Sequence, residues 1–415
     1  MLKKLVSLAL TVIMCVGIST AGFAAEQLEI MSWWTGGGEA EALAAIVNGF
    51  SEANPGIEVV NSAVAGSGGT NAQAVLGVRM AGGDPPDVFQ ANGGYDTTQW
   101  VNGDQIIALD EVFEKNNWHD ILPEKIVQMN TVDGHVYGVP INIGRDNMIW
   151  YNKKVFADNA IEIPTTWEEF FAAADKLQAA GIVPLALGDS NPTWATLIFE
   201  EILLGEMGAE GHDAVLTGAV DMGSDEVRNV AELFKKVLTY TNDNHSALDW
   251  QEAAQMVVDG KAAMLAMGDW AAGFFQAIGM EPDVDFGWFE APGTTEYFLA
   301  EFDAFLVPKN AKNTEAALKF VEFTIDPIAQ FGVSMNKGSI PARKDVNASD
   351  FESGVYVASA MEDFRTLEIV PSLIGKAIAP SGFFSKFNEA INTLVSQGDV
   401  DLFLIMAEET KAYLE

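Results

Sequence analysis

The sequence predicts an α/β protein with parallel-rich sheets covered by helices, arranged as two lobes joined by short crossovers. Three observations carry this expectation. Strand-period and helix-period stretches alternate along the chain with short turns between them. The 415 residues suffice for two or three domain-sized units, and 49% hydrophobic content with 20% charge suits a substantial core. No long Pro- or Ser-rich linker, internal repeat or low-complexity tract divides the chain into beads.

Residues 1–24 do not read as part of a domain. Met1-Leu2-Lys3-Lys4 is a cationic start, Leu5 to Ile18 is apolar, and Gly22-Phe23-Ala24 offers small residues at a signal-peptidase spacing. The expectation is an export signal cleaved after Ala24 and a soluble periplasmic product. The apolar run is shorter than the roughly 20 residues a bilayer span requires. The single cysteine, Cys15, lies inside this segment. Val12-Ile13-Met14 lacks the small residues that precede a lipidated cysteine, which argues against a lipid anchor. The mature chain then needs no disulfide.

Leu28 to Trp33 reads as a strand and Glu39 to Asn54 as an amphipathic helix closed by Asn54-Pro55-Gly56. Ile57 to Val64 is a second strand, and Asn71 to Ala81 a helix stopped by Gly82-Gly83-Asp84-Pro85-Pro86. The short strand Asp87 to Gln90 follows. Pro164 to Glu169 opens a helix with overlapping capping-box patterns, Thr165 with Glu168 and Thr166 with Glu169. Val183 to Leu187 and Ala262 to Met267 read as strands, the latter leading through Gly268 to Asp269 as a helix cap. The apolar strand Phe302 to Val307 precedes a helix from Asn313 to Thr324, and a helix-rich tail runs from Gly382 to Glu415.

The stretch SWWTGGGEAEAL, Ser32 to Leu43, is unusual. Consecutive side chains of a strand point to opposite faces, so Trp33 and Trp34 cannot share one buried face. Either one ring is core and the other is not, or both reach past the strand end. Ligand sites in open α/β sheets lie beyond the carboxyl ends of strands, where this pair sits.

Composition excludes more than it names. The net charge of −36, or −38 once Lys3 and Lys4 are removed with the leader, repels nucleic acid and anionic membranes and favours solubility. His119, His135, His212 and His245 make no metal spacing such as HExxH. There is no GxxxxGK[ST] loop, no GxSxG elbow and no adjacent tyrosine pair for ferric iron, and Ala65 to Thr70 opens no dinucleotide fingerprint. With 59 acidic residues a carboxylate pair for glycoside hydrolysis can always be picked out, so finding one means little. No catalytic residue, metal or cofactor is expected.

The ordered motifs resemble the solute-binding proteins of ABC sugar importers. They are Asn54-Pro55-Gly56-Ile57-Glu58-Val59, Pro86-Asp87-Val88, Gly134 to Pro140 (GHVYGVP), Trp150-Tyr151-Asn152-Lys153-Lys154 and Pro164 to Glu169. Gly260 to Met264 leading to Gly268-Asp269-Trp270, and Gly338-Ser339-Ile340-Pro341, complete the series. Ser32 to Thr35 and Met267 to Trp270 look most like the glucose- and mannose-binding members. The resemblance spans nearly the whole mature chain. It implies the two-lobe type II periplasmic binding fold, a sugar closed in a cleft between lobes, and the membrane permease subunits of an importer as partner, with the receptor itself a monomer. One lobe would hold residues 25–139 and 302–345, the other 140–301 and 346–415.

On that footing the candidate ligand residues are Trp33, Trp34, Glu39, Gln90, Asn92, Asn142, Trp194, Trp270, Asp303 and Lys337. A pyranose has an apolar C–H face that stacks on an indole and a hydroxyl edge that needs hydrogen bonds. Trp33, Trp34 and Trp270 are the platforms and Trp194 would line the far side, with core as the alternative for each. Gly36 to Gly38 would let backbone approach the ligand. Glu39 matches the family's sugar-binding glutamate, although it also complements a helix dipole. Gln90, Asn92 and Asn142 carry amides that donate and accept as hydroxyls require. Asp303 interrupts an apolar strand, so its carboxylate must find donors, either sugar hydroxyls or a lobe-to-lobe salt bridge. If it serves the ligand alone, its removal should leave the stability of the sugar-free protein unchanged or raised. Lys337 fits the family's sugar-contacting lysine, against an ordinary surface role.

The rival readings are an exported carbohydrate-active enzyme and a receptor for a non-sugar solute or for chemotaxis. The chain departs from the glucose-type members at Asn92 (Lys or His there), at Gly144 and at Ile374-Gly375 (His-Gly there). Gly144 stands where Asn-Val-His-Arg has its histidine. A trimmed far wall then predicts a disaccharide or substituted hexose bound more tightly than glucose.

Overall fold

The computed structural model describes residues 26–66, 69–351 and 354–414; the expected leader and Cys15 lie outside them. Its strands are β1 (Glu26–Met31), β2 (Ile57–Asn61), β3 (Val88–Asn92), β4 (Thr131–Val132), β5 (His135–Val136), β6 (Val139–Pro140), β7 (Asn142–Arg145) and β8 (Met148–Asn152). There follow β9 (Val183–Ala186), β10 (Ala262–Ala266), β11 (Phe286–Glu290), β12 (Tyr297–Glu301), β13 (Asp303–Leu306), β14 (Ile340–Pro341) and β15 (Glu368–Pro371). Three sheets carry the two-lobe α/β fold: β2-β1-β3-β13-β6, β11-β8-β10-β9 and β14-β7-β12-β15. Strands β1, β2 and β3 run parallel, as expected where helices return the chain between them. No helix among the described residues is long and apolar enough to cross a membrane.

Two single-residue crossings between sheets lie side by side. Strand β6 gives way to β7 across Ile141 alone, and β12 to β13 across Phe302 alone. The two crossings hold each other: β13 pairs with β6 on one side and β12 with β7 on the other. Between those pairs Ile141 N–H donates to the Asp303 carbonyl at 2.7 Å. A third segment, β14, pairs antiparallel with β7. These are the narrowest links between the sheets, and they lie at the ends of strands on which a ligand site is expected.

Several local expectations are corrected. Strand β1 ends at Met31, before either tryptophan, because the Ser32 hydroxyl bonds Gln90 and accepts from Trp34 N–H, turning the chain. The helix Gly37–Ala53 begins inside the glycine run. At the helix Trp167–Ala179 the cap is Thr166, which accepts from Glu169 N–H. Glu169 reaches back to the amide and hydroxyl of Thr165, so the Thr165–Glu168 pairing does not form. Asp269 precedes the helix Trp270–Ala277 but makes no side-chain cap. Its carboxylate accepts from Arg145 N–H at 3.0 Å instead.

The glycine run serves packing as well as the cavity. A Cβ on Gly38 would stand 2.1 Å from the Asn336 carbonyl oxygen and 2.9 Å from Gly273 Cα. One on Gly273 would stand 2.4 Å from the Lys337 carbonyl oxygen. Three helices, Gly37–Ala53, Trp270–Ala277 and Pro327–Lys337, therefore meet backbone to backbone. Gly36 has open space around it. Gly38→Ala should lower stability in denaturant titration by about 1–3 kcal/mol, the range for overpacked contacts, while Gly36→Ala leaves it unchanged. Equal effects would show that the helices are not in the close contact described.

Candidate functional site

The carboxylate of Asp303 has its donors within the protein. Its Oδ1 accepts from Gln90 Nε2 at 2.6 Å and its Oδ2 from Lys337 Nζ at 2.9 Å. Both charged residues are buried, at 2% exposure each. The Asn142 amide, oriented to satisfy both neighbours, donates to Asp303 Oδ2 at 3.0 Å and accepts from Lys337 Nζ at 3.0 Å and Ser339 Oγ at 3.1 Å. Gln90 in turn accepts from Ser32 Oγ at 2.5 Å. Each position follows from local structure. Gln90 faces Phe305 across the β3–β13 pair, and Asn142 opens β7 just past the first crossing. Lys337 is the last residue of its helix, stopped by Gly338 at φ 95°.

Asp303 and Lys337 of this network face a cavity of about 290 Å³, lined from β3, β12 and β13 and from the helix starts and loops around them. Trp33, Glu39, Asn92, Trp194, Trp270, Asp303 and Lys337 line it. Trp34, Gln90 and Asn142 do not; they stand behind the wall. The adjacent tryptophans are thus divided, by the turn at Ser32 that follows the end of β1. Trp33 borders the cavity with its ring against Gly69. Trp34 is core, packed with the cluster that includes Leu28, Ile46 and Phe305, and Lys337 Nζ lies 5.2 Å over its ring. Trp270 and Trp194 meet with centroids 5.7 Å apart at 52°.

Sequence reasoning missed Trp250, Asp249 and Glu301, all of which line the cavity. Two signals were available. Asp249-x-x-Glu252 is a capping box, formed here, that starts a helix on Trp250. Glu301 stands two residues before Asp303 on one extended run. The trimmed-wall expectation is corrected at Gly144, which does not face the cavity: a Cβ there would stand 2.5 Å from Glu301 Oε1. Glu301 occupies the space a longer side chain would need. Asn92, Ile374 and Gly375 do line the cavity.

Carboxyl groups outnumber the ammonium here, and burial raises them. Desolvation pushes Glu39 up to about 7 against the opposing charge of Lys337. It pushes Asp269 up to about 7 as well, with Lys337 and the Arg145 N–H bond opposing. Desolvation with the Asp303 charge pushes Glu301 up to about 8. Burial works against the Lys337 ammonium, but the carboxylates of Asp303, Glu301, Asp269 and Glu39 outweigh it and hold its pKa above the ordinary lysine value.

Residues 36–331 match the family described as bacterial extracellular solute-binding protein. An uncharacterised ABC transporter extracellular-binding protein of Pyrococcus horikoshii is 35% identical over 380 residues, covering 91% of this chain and 85% of its own. A "probable sugar-binding periplasmic protein" of Rhizobium meliloti is 34% identical over 341 residues, covering 81% and 80%. Among solved structures, the bacterial solute receptor AcbH, whose substrate preference is β-D-galactopyranose, superposes with TM-score 0.81. Its identity is 18%, over 94% of this chain and 98% of AcbH, a likeness of fold.

Two outcomes follow from the charge arrangement. Asp303→Ala removes the 2.9 Å partner of the buried Lys337 ammonium and leaves Glu301, at 3.5 Å, as its remaining close carboxyl. Stability of the sugar-free protein should then fall by about 3 kcal/mol, as when one partner of a buried pair is removed, and adding Lys337→Met should recover part of it. This reverses the expectation of unchanged or raised stability, and a Tm equal to wild type would restore it. For the pH dependence, carboxyls raised in the folded state bind more protons folded than unfolded, so stability falls as pH rises. The window runs from the ordinary value of 4.5 to about 8 for Glu301. Thermal unfolding should give a higher Tm at pH 5 than at pH 8.5; the opposite order would contradict these shifts.

Proposed function

The chain belongs to the bacterial extracellular solute-binding proteins, and from that premise we propose that it is the sugar receptor of an ABC importer. It captures a mono- or disaccharide between its lobes outside the cytoplasmic membrane, in the periplasm of the exported product, and delivers it to the permease. No chemical step is involved. Support for a sugar comes from one observation above the others: a cavity walled by four indoles and ringed by carboxyl, ammonium and amide groups. The indoles suit the C–H face of a pyranose, and the polar ring suits its hydroxyls.

In this reading Trp33, Trp194 and Trp270 stack on the ligand, and Glu39, Asn92, Asp303 and Lys337 bond its hydroxyls. Asp303 keeps one acceptor site, on Oδ1, after Gln90, Lys337 and Asn142 are served, because each carboxylate oxygen takes two donors. Gln90 and Asn142 act by orienting Asp303 and Lys337, and Trp34 by packing beneath the ammonium. The lobes are residues 25–139 with 302–345 and residues 140–301 with 346–415. The single-residue crossings at Ile141 and Phe302 support such a division, and they are where closure would bend the chain.

Tryptophan fluorescence titrated with a sugar panel tests the function, with saturable change and no product separating receptor from enzyme. Trp270→Ala should weaken the tightest sugar by about 2 kcal/mol or more, as aromatic anchors do. Unchanged affinity by calorimetry, with circular dichroism intact, would remove Trp270 as a platform.

A further inference from the structure

Strand β12 ends on Glu301, and Phe302 alone separates it from Asp303, so the two carboxyl side chains share one side of the crossing strand. Glu301 is 6% exposed and lines the cavity. Its side chain lies in a slot between two glycines. Gly144, its register partner on β7, would bring a Cβ to 2.5 Å from Oε1, and Gly375 would bring one to 2.4 Å from the Glu301 Cβ. Neither position can carry a side chain while Glu301 stays where it is. Yet among the described residues Glu301 Oε1 has no hydrogen-bond partner. The nearest cation, Lys337 Nζ, is 3.5 Å away and already donates to Asp303 at 2.9 Å. A carboxyl group that lines the cavity from a built slot and makes no hydrogen bond among the described residues points to a partner supplied from the cavity.

We propose that Glu301 is a specificity-determining residue of the site, holding the ligand as a neutral carboxylic acid that donates one O–H···O hydrogen bond to a sugar oxygen. The proposal rests on the sugar-receptor reading of this cavity. The surroundings favour the neutral form. Asp303 on the same run, Asp269 before the helix Trp270–Ala277 and Asp146 after β7 are acidic neighbours, opposed by Lys337. Arg145 on the paired strand turns its guanidinium away, to Asp363 and Glu290. Burial and the Asp303 charge accordingly push Glu301 up to about 8. A carboxylate only accepts, whereas a carboxylic acid also donates. Neutral Glu301 therefore admits an oxygen with no proton to give, such as a ring, glycosidic or acyl oxygen, at a point where ionised Glu301 would repel it.

The test is the Kd of the panel's tightest sugar, measured by fluorescence from pH 6 to 9 for wild type, Glu301→Gln and Glu301→Ala. Glutamine keeps the shape and a donor, so Glu301→Gln should bind within about threefold of wild type at pH 6.5, while Glu301→Ala binds tenfold or more weakly. Wild type should weaken about tenfold towards pH 9 as the neutral fraction falls, and Glu301→Gln should escape that part of the loss. Glu39 and Asp269 titrate in both proteins, so the difference between the curves isolates Glu301. If Glu301→Gln is as weak as Glu301→Ala at pH 6.5, the group is an acceptor and the proposal is wrong. Equal binding by all three makes Glu301 inert wall and also overturns it. Wild type that responds to no sugar overturns the receptor reading, and this assignment with it, a result distinct from either variant outcome.

Discussion

A lysine ammonium and an aspartate carboxylate 2.9 Å apart, both almost out of reach of water, sit where the chain passes between its sheets. An apolar strand carrying Asp303 could not be buried without a counter-charge, and a helix end carrying Lys337 could not be buried without an anion. Meeting each other, they fix the end of the helix Pro327–Lys337 against β13. Gln90 and Asn142 complete the shell and draw β3 and β7 into it. The ion pair and its hydrogen-bonded shell thereby tie together segments more than two hundred residues apart in the chain, Gln90 and Asp303 being separated by 213 positions.

Everything that makes the cavity depends on that tie. The strand exchange at Ile141 and Phe302 carries Glu301 and Asp303 on one run. The meeting of helices at Gly38, Gly273 and Gly338 brings the Trp270 ring near the Lys337 ammonium, 5.6 Å from it. The polar edge of the cavity is thus preorganised before any ligand arrives, which reduces the ordering that binding would otherwise require.

Much of this was legible in the sequence, and for physical reasons. Strand and helix periods depend on neighbours a few residues away, so β1, β2, β9, β10 and the helices at Gly37, Thr70 and Trp167 were visible to within a few positions. A charge inside an apolar strand marked Asp303. Alternation showed only that Trp33 and Trp34 could not share one buried face; that they part, and which ring faces the cavity, depended on the turn that Ser32 makes by bonding Gln90. That contact is tertiary and leaves no local trace. Gln90 and Asn142 carried the right chemistry and stand one layer back, because Asp303 and Lys337 took their hydrogen bonds. Glu301 was hidden by its own slot: Gly144 looks like a loss until the carboxyl lying against it is seen.

The most direct measurement is a crystal structure grown with the sugar that changes the fluorescence. The account predicts a pyranose ring in the cavity, stacked on the Trp270 or Trp33 indole, with hydroxyl oxygens within hydrogen-bond distance of Asp303 and Lys337 and the Lys337–Asp303 pair intact. A sugar bound elsewhere on the surface, or one that enters only by separating Lys337 from Asp303, would contradict it.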